Sequence, residues 1–548
     1  MRTGTPTLQP ICLLVEAGQR ACLRNQSNVV KLGQQAGGEP NATEAIESGT
    51  SLDVAPKPWR INSQRPSCSV CSGICGCIDR TAWLELEIEI DGEPLGAPAY
   101  HPRALLCVWL YGFMTGIRSS RKLEAACRDQ IPFLWLTGWQ HPDHNTLWRF
   151  YQAYRQPMRR LLKYTVATAV KLGLVDLAVQ AVDGTRIAAN AARDRIFDAA
   201  GLKRLLERTE AAIAEMEAQN EAGEATPSPR LPKELQQAKF LRQKISEAMG
   251  QLAQDDRLTR VNLTDEDSQL MKGRDGIING YNAQSMVSPL VVETAKGNGM
   301  LITAANVVNA AADSGQLVPM LEQAEELTGE RIPTTLADGG YHTAANLEAG
   351  KKRGQTLVMA ERYQAKVQTP YFKDHFAYDS TTDSYICPQG QRLPFRGLRK
   401  SQLTGSRSIR VYRASRTACR TCPAFGVCTK DKHAGRALWI SSSDMLLRKH
   451  RKWMQTDEAR SLYSRRKELI ESVFGVIKEQ LGARRFLLRG LANVRAEFSL
   501  LAAAFNLRTL YRVWNRSQVG QEWQFRPSTP RAFEKAPKFG CIPTMPAG

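Results

Sequence analysis

No stretch of this chain is apolar for long enough to cross a bilayer, which argues against an integral membrane protein. The first residues lack a basic start followed by a sustained apolar core, so a secretory signal is not expected. Acid is the scarce charge. The 54 Asp and Glu are outnumbered by 74 Lys and Arg, leaving +20 in 548 residues. The shortage is local as well as global: Gln391 to Arg420 holds nine Arg or Lys and no acid. A second basic zone runs from Arg448 to Arg495, with Arg484, Arg485 and Arg489 close together. A lone basic run is ordinarily a solvated face. Two such zones argue for a polyanionic partner and against a small acidic substrate, with affinity that falls steeply as salt rises.

Several things are plentiful. At 43% apolar residues the length supports two or three domains with ample core. Thirteen cysteines without an export signal point to reduced thiols or metal ligation rather than disulfides. Cys68, Cys71, Cys75 and Cys77 crowd into the first 80 residues, but the Cys75-Gly76-Cys77 spacing is tight for tetrahedral zinc. Residues 1–80 show little periodicity and read as a disordered extension; 513–548 read as a disordered tail. Cys387, Cys419, Cys422 and Cys428 are better placed. Cys419 and Cys422 stand two residues apart around a turn, and the outer pair can complete an S₄ set for structural zinc in a ribbon-like insertion over 363–445. Four incidental thiols are the plain alternative.

Residues 95–175 have helical periodicity and resemble a helix-turn-helix domain, although an ordinary helical bundle reads the same way. Asp143 or Asn145 is expected to cap a helix that turns Trp148 and Phe150 inward, and Arg118, Arg121 and Arg149 are candidate DNA contacts. From 176 the pattern alternates strands with helices, as in an α/β fold. Residues 200–256 read as an antiparallel helical hairpin, with Leu202, Leu206, Ile213 and Met216 facing Leu241, Ile245, Met249 and Leu252 across a proline-rich tip. Ser285–Val292 and Met300–Val308 read as paired strands, followed by a helix over Gly315–Thr328 that Asp313 is expected to cap.

Three acids stand out. Strands ending at Val182 and Ala337 each deliver an Asp, Asp183 and Asp338, beside a glycine turn, while Glu471 lies on a basic helix. Ile470, Phe474, Ile477 and Leu481 form the inward stripe of that helix and leave Glu471 at its edge. Three converging carboxylates repel one another unless a divalent cation lies between them, and Mg²⁺ or Mn²⁺ suits such oxygen ligands.

Ordered along the chain are Tyr100-His101-Pro102-Arg103, Gly116-Ile117-Arg118-Ser119-Ser120-Arg121, Pro142-Asp143-His144-Asn145-Thr146 and Val182-Asp183-Gly184-Thr185. After them come Gly280-Tyr281-Asn282-Ala283-Gln284, Ala337-Asp338-Gly339-Gly340-Tyr341 and Glu471-Ser472-Val473-Phe474-Gly475, the last running on to Arg484-Arg485-Phe486-Leu487-Leu488-Arg489-Gly490. In this order they resemble a DDE transposase of a bacterial insertion sequence, close to the eleven-eighty-two family, over roughly residues 95–512. The resemblance departs at one place: Tyr463 and Arg466 fall one residue early relative to Glu471, although Lys478 stands at the expected spacing.

The resemblance implies an RNase H-like mixed sheet with helices on both faces over 176–512, interrupted by the hairpin and the zinc-ribbon-like insertion. It implies Asp183, Asp338 and Glu471 as a catalytic triad holding two Mg²⁺ ions, cleavage at element ends, and strand transfer into target DNA. Arg466, Lys478, Arg484, Arg485 and Arg489 join the expected DNA contacts, and His342 is expected near the scissile group. Double-stranded DNA is the partner, with a homodimer or larger assembly on it. The setting is bacterial cytoplasm, associated with the nucleoid. Two readings compete: a transposon-derived DNA-binding protein without activity, and a metal-dependent nuclease without strand transfer.

Overall fold

The computed structural model describes residues 100–522 except 224–232, 256–257, 274–275, 295–296, 362–366, 401–407 and 432. The expected extension over 1–80, with Cys68, Cys71, Cys75 and Cys77, lies outside these residues, as does 523–548.

The described chain opens with five helices: α1 (Pro102–Thr115), α2 (Ser120–Asp129), α3 (Ile131–Thr137), α4 (His144–Tyr154) and α5 (Leu161–Lys171). Proline begins α1, where its missing N–H costs nothing, and Gly116 ends it at φ 82°, a left-handed cap. Asp143 caps α4 as expected, its carboxylate accepting from Thr146 N at 2.8 Å. Trp148 departs from the expectation. It is 36% exposed, because the inward face of α4 runs through Leu147, Phe150 and Tyr151, three and four residues apart, and 148 falls off that stripe.

The main sheet uses β1 (Val179–Ala188), β4 (Gln269–Gly273), β5 (Gly276–Thr294), β6 (Gly297–Val308), β7 (Thr334–Ala337) and β8 (Thr356–Met359). Antiparallel pairing joins β5 to both β1 and β6, whereas β1–β7 and β7–β8 are parallel. Five strands therefore run in the order β6-β5-β1-β7-β8 with only β5 reversed, and β4 folds back on the start of β5. Both faces are covered. Val182, Met286 and Ala304 pack with Leu317, Met320 and Leu321 of α8 (Leu317–Thr328) on one side. On the other, Ala181, Ala283 and Val287 share a core with Ile470, Val473, Phe498 and Leu501. Alternation along each strand sends neighbouring residues to opposite layers, as period two requires. Asn506 closes one exposed flank of the sheet by exchanging hydrogen bonds with the backbone of Ile302 at 2.8 and 2.9 Å.

The helical insertion is present as α6 (Ala199–Gly223) and α7 (Lys233–Gln254), with β2 (Ile196–Phe197) and β3 (Val261–Asn262) at its root. Leu202, Ile245 and Ala248 form its own small core. Its tip lies outside the described residues. The helix after β6 begins one turn later than Asp313: Gln316 is the capping residue.

A second, antiparallel sheet follows α9 (Ala344–Arg353), in the order β13-β12-β11-β10-β9. Its strands are β9 (Ala377–Asp379), β10 (Ser384–Ile386), β11 (Arg392–Lys400), β12 (Ser408–Arg413) and β13 (Ala437–Ser441), with α10 (Arg416–Arg420) between the last two. Then come α11 (Asp444–Trp453), α12 (Asp457–Gly475), which passes into wider π turns over Val476–Gln480, and α13 (Leu491–Glu522). Ten residues of the expected tail are therefore the end of α13. One apolar core includes residues from Leu105 to Val513: α1 and α5 pack on α13, and α2–α4 pack on one another and on α1.

Candidate active site

The parallel pairing of β1 and β7 ends at Val182↔Ala337, so the next residues, Asp183 and Asp338, are delivered side by side. Only Asp338 terminates its strand. Its Oδ1 accepts from Gly340 N at 2.8 Å, tying down the turn. Asp183 lies mid-strand, opposite Ser285, and β1 continues five residues beyond it; the expected turn at Gly184 is absent. Glycine suits the position for another reason. A Cβ at 184 would stand 2.2 Å from Gln284 Nε2 and 2.6 Å from Asp313 Oδ1. Close approach, not a turn, explains that residue.

Glu471 arrives on α12, whose predicted apolar stripe is buried as expected: Ile470, Phe474, Ile477 and Leu481 all face the core. The Glu471 side chain is 59% exposed and meets Asp183 only through Arg466. Arg466 Nη1 donates to Asp183 Oδ2 at 3.0 Å, and Nη2 stands 3.9 Å from Glu471 Oε1. Its guanidinium also lies over the Tyr463 ring at 5.9 Å. Burial pushes the Asp183 carboxyl up to about 6; Asp338 adds to this and Arg466 opposes it. Burial likewise works against the Arg466 charge, but Asp183, Tyr463 and Asp338 together outweigh it and raise the group.

Behind the two aspartates, on the opposite face of β1, lies a polar cluster that motif spacing did not assign. Asp313 Oδ1 accepts from Asn282 Nδ2 at 2.7 Å and Gln284 Nε2 at 2.8 Å, and Arg186 pairs with its Oδ2 at 3.1 Å. Gln284 in turn accepts from the Tyr341 hydroxyl. Burial first, and then Asp313, Asp183 and Asp338, hold the Tyr341 phenol well above its ordinary range. Asp313 is thus part of the floor of the site rather than a helix cap. The sequence signal was available in Gly280-Tyr281-Asn282-Ala283-Gln284, whose alternate polar side chains point to one face of β5.

Other expected site residues are distributed unevenly. Arg118 is withdrawn from the DNA contacts: it is 8% exposed and paired with Glu497 at 2.6 Å, where no duplex can reach it. Arg466 is also buried and occupied by carboxylates, so it is not a surface phosphate contact in this arrangement. His342 faces away from the acids, with Nε2 3.2 Å from His450 Nδ1 and Nδ1 3.4 Å from Glu361. Arg121 and Arg149 are exposed, and Lys478 is half-buried. Arg484 is exposed beside Glu479 at 2.7 Å, while Arg485 and Arg489 donate to the carbonyls of Ala189 and Asn190.

Among the described residues, no group of three or more His, Cys, Asp or Glu stands close enough to hold a metal ion as the side chains are placed. Cys387, Cys419, Cys422 and Cys428 nevertheless line one cavity of about 20 Å³, roughly the room one water or ion occupies. Burial pushes the Cys428 thiol up and the other three sulfurs push the same way.

Two family models match this chain. Residues 386–511 match a transposase DDE domain, a stretch that holds Glu471 and all four of these cysteines. Residues 62–153 match a transposase domain (DUF772), reaching through α4. Both matches are to transposase domains. They support a transposase function, and with it an enzyme that acts on DNA. No curated protein matches the chain. Among the described residues no helix is long and apolar enough to cross a membrane.

Proposed function

We propose that this chain is a DDE transposase of the insertion-sequence type, cutting DNA at element ends and joining the freed ends to target DNA. The supporting observation is the delivery of Asp183 and Asp338 side by side, one step past the last paired residues of β1 and β7, beneath the helix that carries Glu471. The strand order, with β5 alone reversed, supports reading the sheet as RNase H-like.

The donor set fits a hard divalent cation. Asp183 and Asp338 lie together, burial penalises the charge on Asp183, and the Arg466 guanidinium is already drawn to it. Asp183, Asp338 and Glu471 would hold Mg²⁺ or Mn²⁺, which when bound would supply Lewis-acid activation of a water or a 3′-hydroxyl and positive charge for the leaving oxygen. Asp183, with a carboxyl near 6, is ionised at neutral pH and available as a ligand. Asp313, Arg186, Asn282 and Gln284 brace β1 and the Tyr341 turn from behind, fixing the spacing of the two aspartates. Exposed Arg121, Arg149, Arg484 and Arg485 supply charge for double-stranded DNA. Two ends held together require at least a dimer on DNA, in the cytoplasm and near the nucleoid of a bacterium.

Zinc in the four-cysteine cavity would be structural, since four sulfurs leave no open position for water.

The test is strand cleavage and joining by purified protein on the element's own ends with Mg²⁺. Asp183→Ala should lower cleavage at least ~1000-fold while leaving the melt intact. Wild-type rates in that variant overturn the reading. Cleavage without joined products favours a nuclease, and DNA binding with neither favours a protein that only binds.

A further inference from the structure

A second cleft lies far from the acids, at the root of the helical insertion, with a volume of about 430 Å³. Its nine lining residues include Arg195, Lys244 and Arg489 and no acid. The three cations come from distant parts of the chain: the turn after β1, helix α7, and the loop before α13. Folding has gathered them against the self-repulsion of like charges. Carboxylates stand beside the cleft rather than in its lining: Glu266 lies 4.0 Å from the Lys244 ammonium, and Asp265 accepts from the N–H of Gly490, next to Arg489, at 3.0 Å.

Two further features mark a ligand. Phe240 is 60% exposed in the cleft wall, with the Lys244 ammonium 5.4 Å from its ring. An aromatic left in water beside a cation is the arrangement that receives a sugar or base along with its phosphate. The Thr264 hydroxyl, also in the wall, is buried and has no hydrogen-bond partner. Such a group is costly unless something accepts from it, and a phosphate oxygen would.

Placement agrees. Arg489 Nε donates to the carbonyl of Asn190, seven residues along the chain from Asp183. At about 3.3 Å per residue Asn190 lies at most about 23 Å from Asp183, a span of no more than about seven base pairs of duplex at 3.4 Å each. One DNA molecule can occupy both.

We infer that this cleft binds a phosphodiester of the DNA backbone, held by Arg195, Lys244 and Arg489, with Thr264 donating to it and Phe240 packing on the adjoining sugar or base. The helical insertion is thereby a DNA clamp. The inference rests on the transposase reading, and one measurement separates the two.

Binding of a labelled 30-base-pair duplex of random sequence is followed by fluorescence anisotropy between 50 and 200 mM KCl, using the full chain. For Arg195→Gln/Lys244→Gln, the slope of log Kd against log salt should become shallower by about 0.9 for each phosphate no longer neutralised. The affinity gained on dilution then shrinks about 3.5-fold for each such phosphate. Thr264→Val should weaken binding several-fold with the slope unchanged. Arg331→Ala, an exposed cation elsewhere, should bind as wild type does. Wild-type slope in a double variant that melts normally overturns the clamp and leaves the transposase reading standing, as does an equal weakening in Arg331→Ala. A wild-type protein with no salt-dependent DNA binding overturns both.

Discussion

Arg118 and Arg121 sit three residues apart in the same short motif, yet the fold gives them opposite fates. Arg121 points to solvent. Arg118 donates to Glu497 at 2.6 Å and to the carbonyl of Arg485 at 3.0 Å, while Glu497 also accepts from the N–H groups of Leu487 and Leu488. This network pins the loop that presents Arg484 and Arg485. Arg118→Ala strands a buried carboxylate and should cost about 3–5 kcal/mol of stability. Urea denaturation reads that loss. Weakened DNA binding at unchanged stability would instead return Arg118 to the DNA contacts. Nothing local separates the two arginines, because the deciding partner is 379 residues away.

His342 makes the same point through acid and base. Burial pushes its imidazole down to about 4, with His450 and Arg451 acting in the same direction and Glu361 opposing. Unfolded, it titrates near 6.5. Between those values the unfolded chain carries the extra proton, so stability rises with pH there. It is lost as pH falls from about 6.5 to about 4, at ~1.4 kcal/mol per unit for this one proton. Denaturant midpoints at pH 5 and 7 should show the decline, and His342→Gln should reduce it. Equal slopes in the two proteins would contradict the assignment.

Among the elements, those with a strong period were legible. The insertion's two helices, the buried stripe of α12 and the Asp143 cap all followed from spacing, because local pattern sets which face of a helix is apolar. The course of β1 through Asp183 was not legible. An Asp-Gly pair reads as a turn, and only cross-strand pairing with Ser285 and Gln284 overrides that. Asp313 was misread for a related reason: an acid just before a helix is usually its cap, and what it faces here comes from β1 and β5. The small sheet raises a question of metal. One zinc per chain is expected by mass spectrometry of purified protein. Cys419→Ser should lose it and loosen the sheet formed by β9–β13, read as faster proteolysis within 377–441. A zinc-free wild-type protein of unchanged protease resistance would refute the structural role.

For the whole molecule, the continuous core is the main fact. Leu105, Trp109 and Phe113 of α1 belong to the same cluster as Phe498 and Leu501 of α13 and Ile470 of α12. The helical N-terminal region, which the sequence suggests as a domain of its own, therefore shares one core with the main sheet. A chain beginning at residue 176 should show no cooperative thermal transition by circular dichroism, since it exposes that core to water. A sharp melt in the truncated protein would show the core to be divisible.

By itself the sequence determined the basic character, the alternation of strands and helices, the strand that ends at Asp338 and the amphipathic helix that carries Glu471, because charge and hydrophobic period are local. Tertiary structure alone decided which of those groups meet. It turned Arg466 onto Asp183, sank Arg118 beside Glu497, set Asp313 behind the site, and drew Arg195, Lys244 and Arg489 to one cleft. Each is a contact between residues far apart in the chain, fixed by how strands pair and layers pack, and no window of sequence contains both partners.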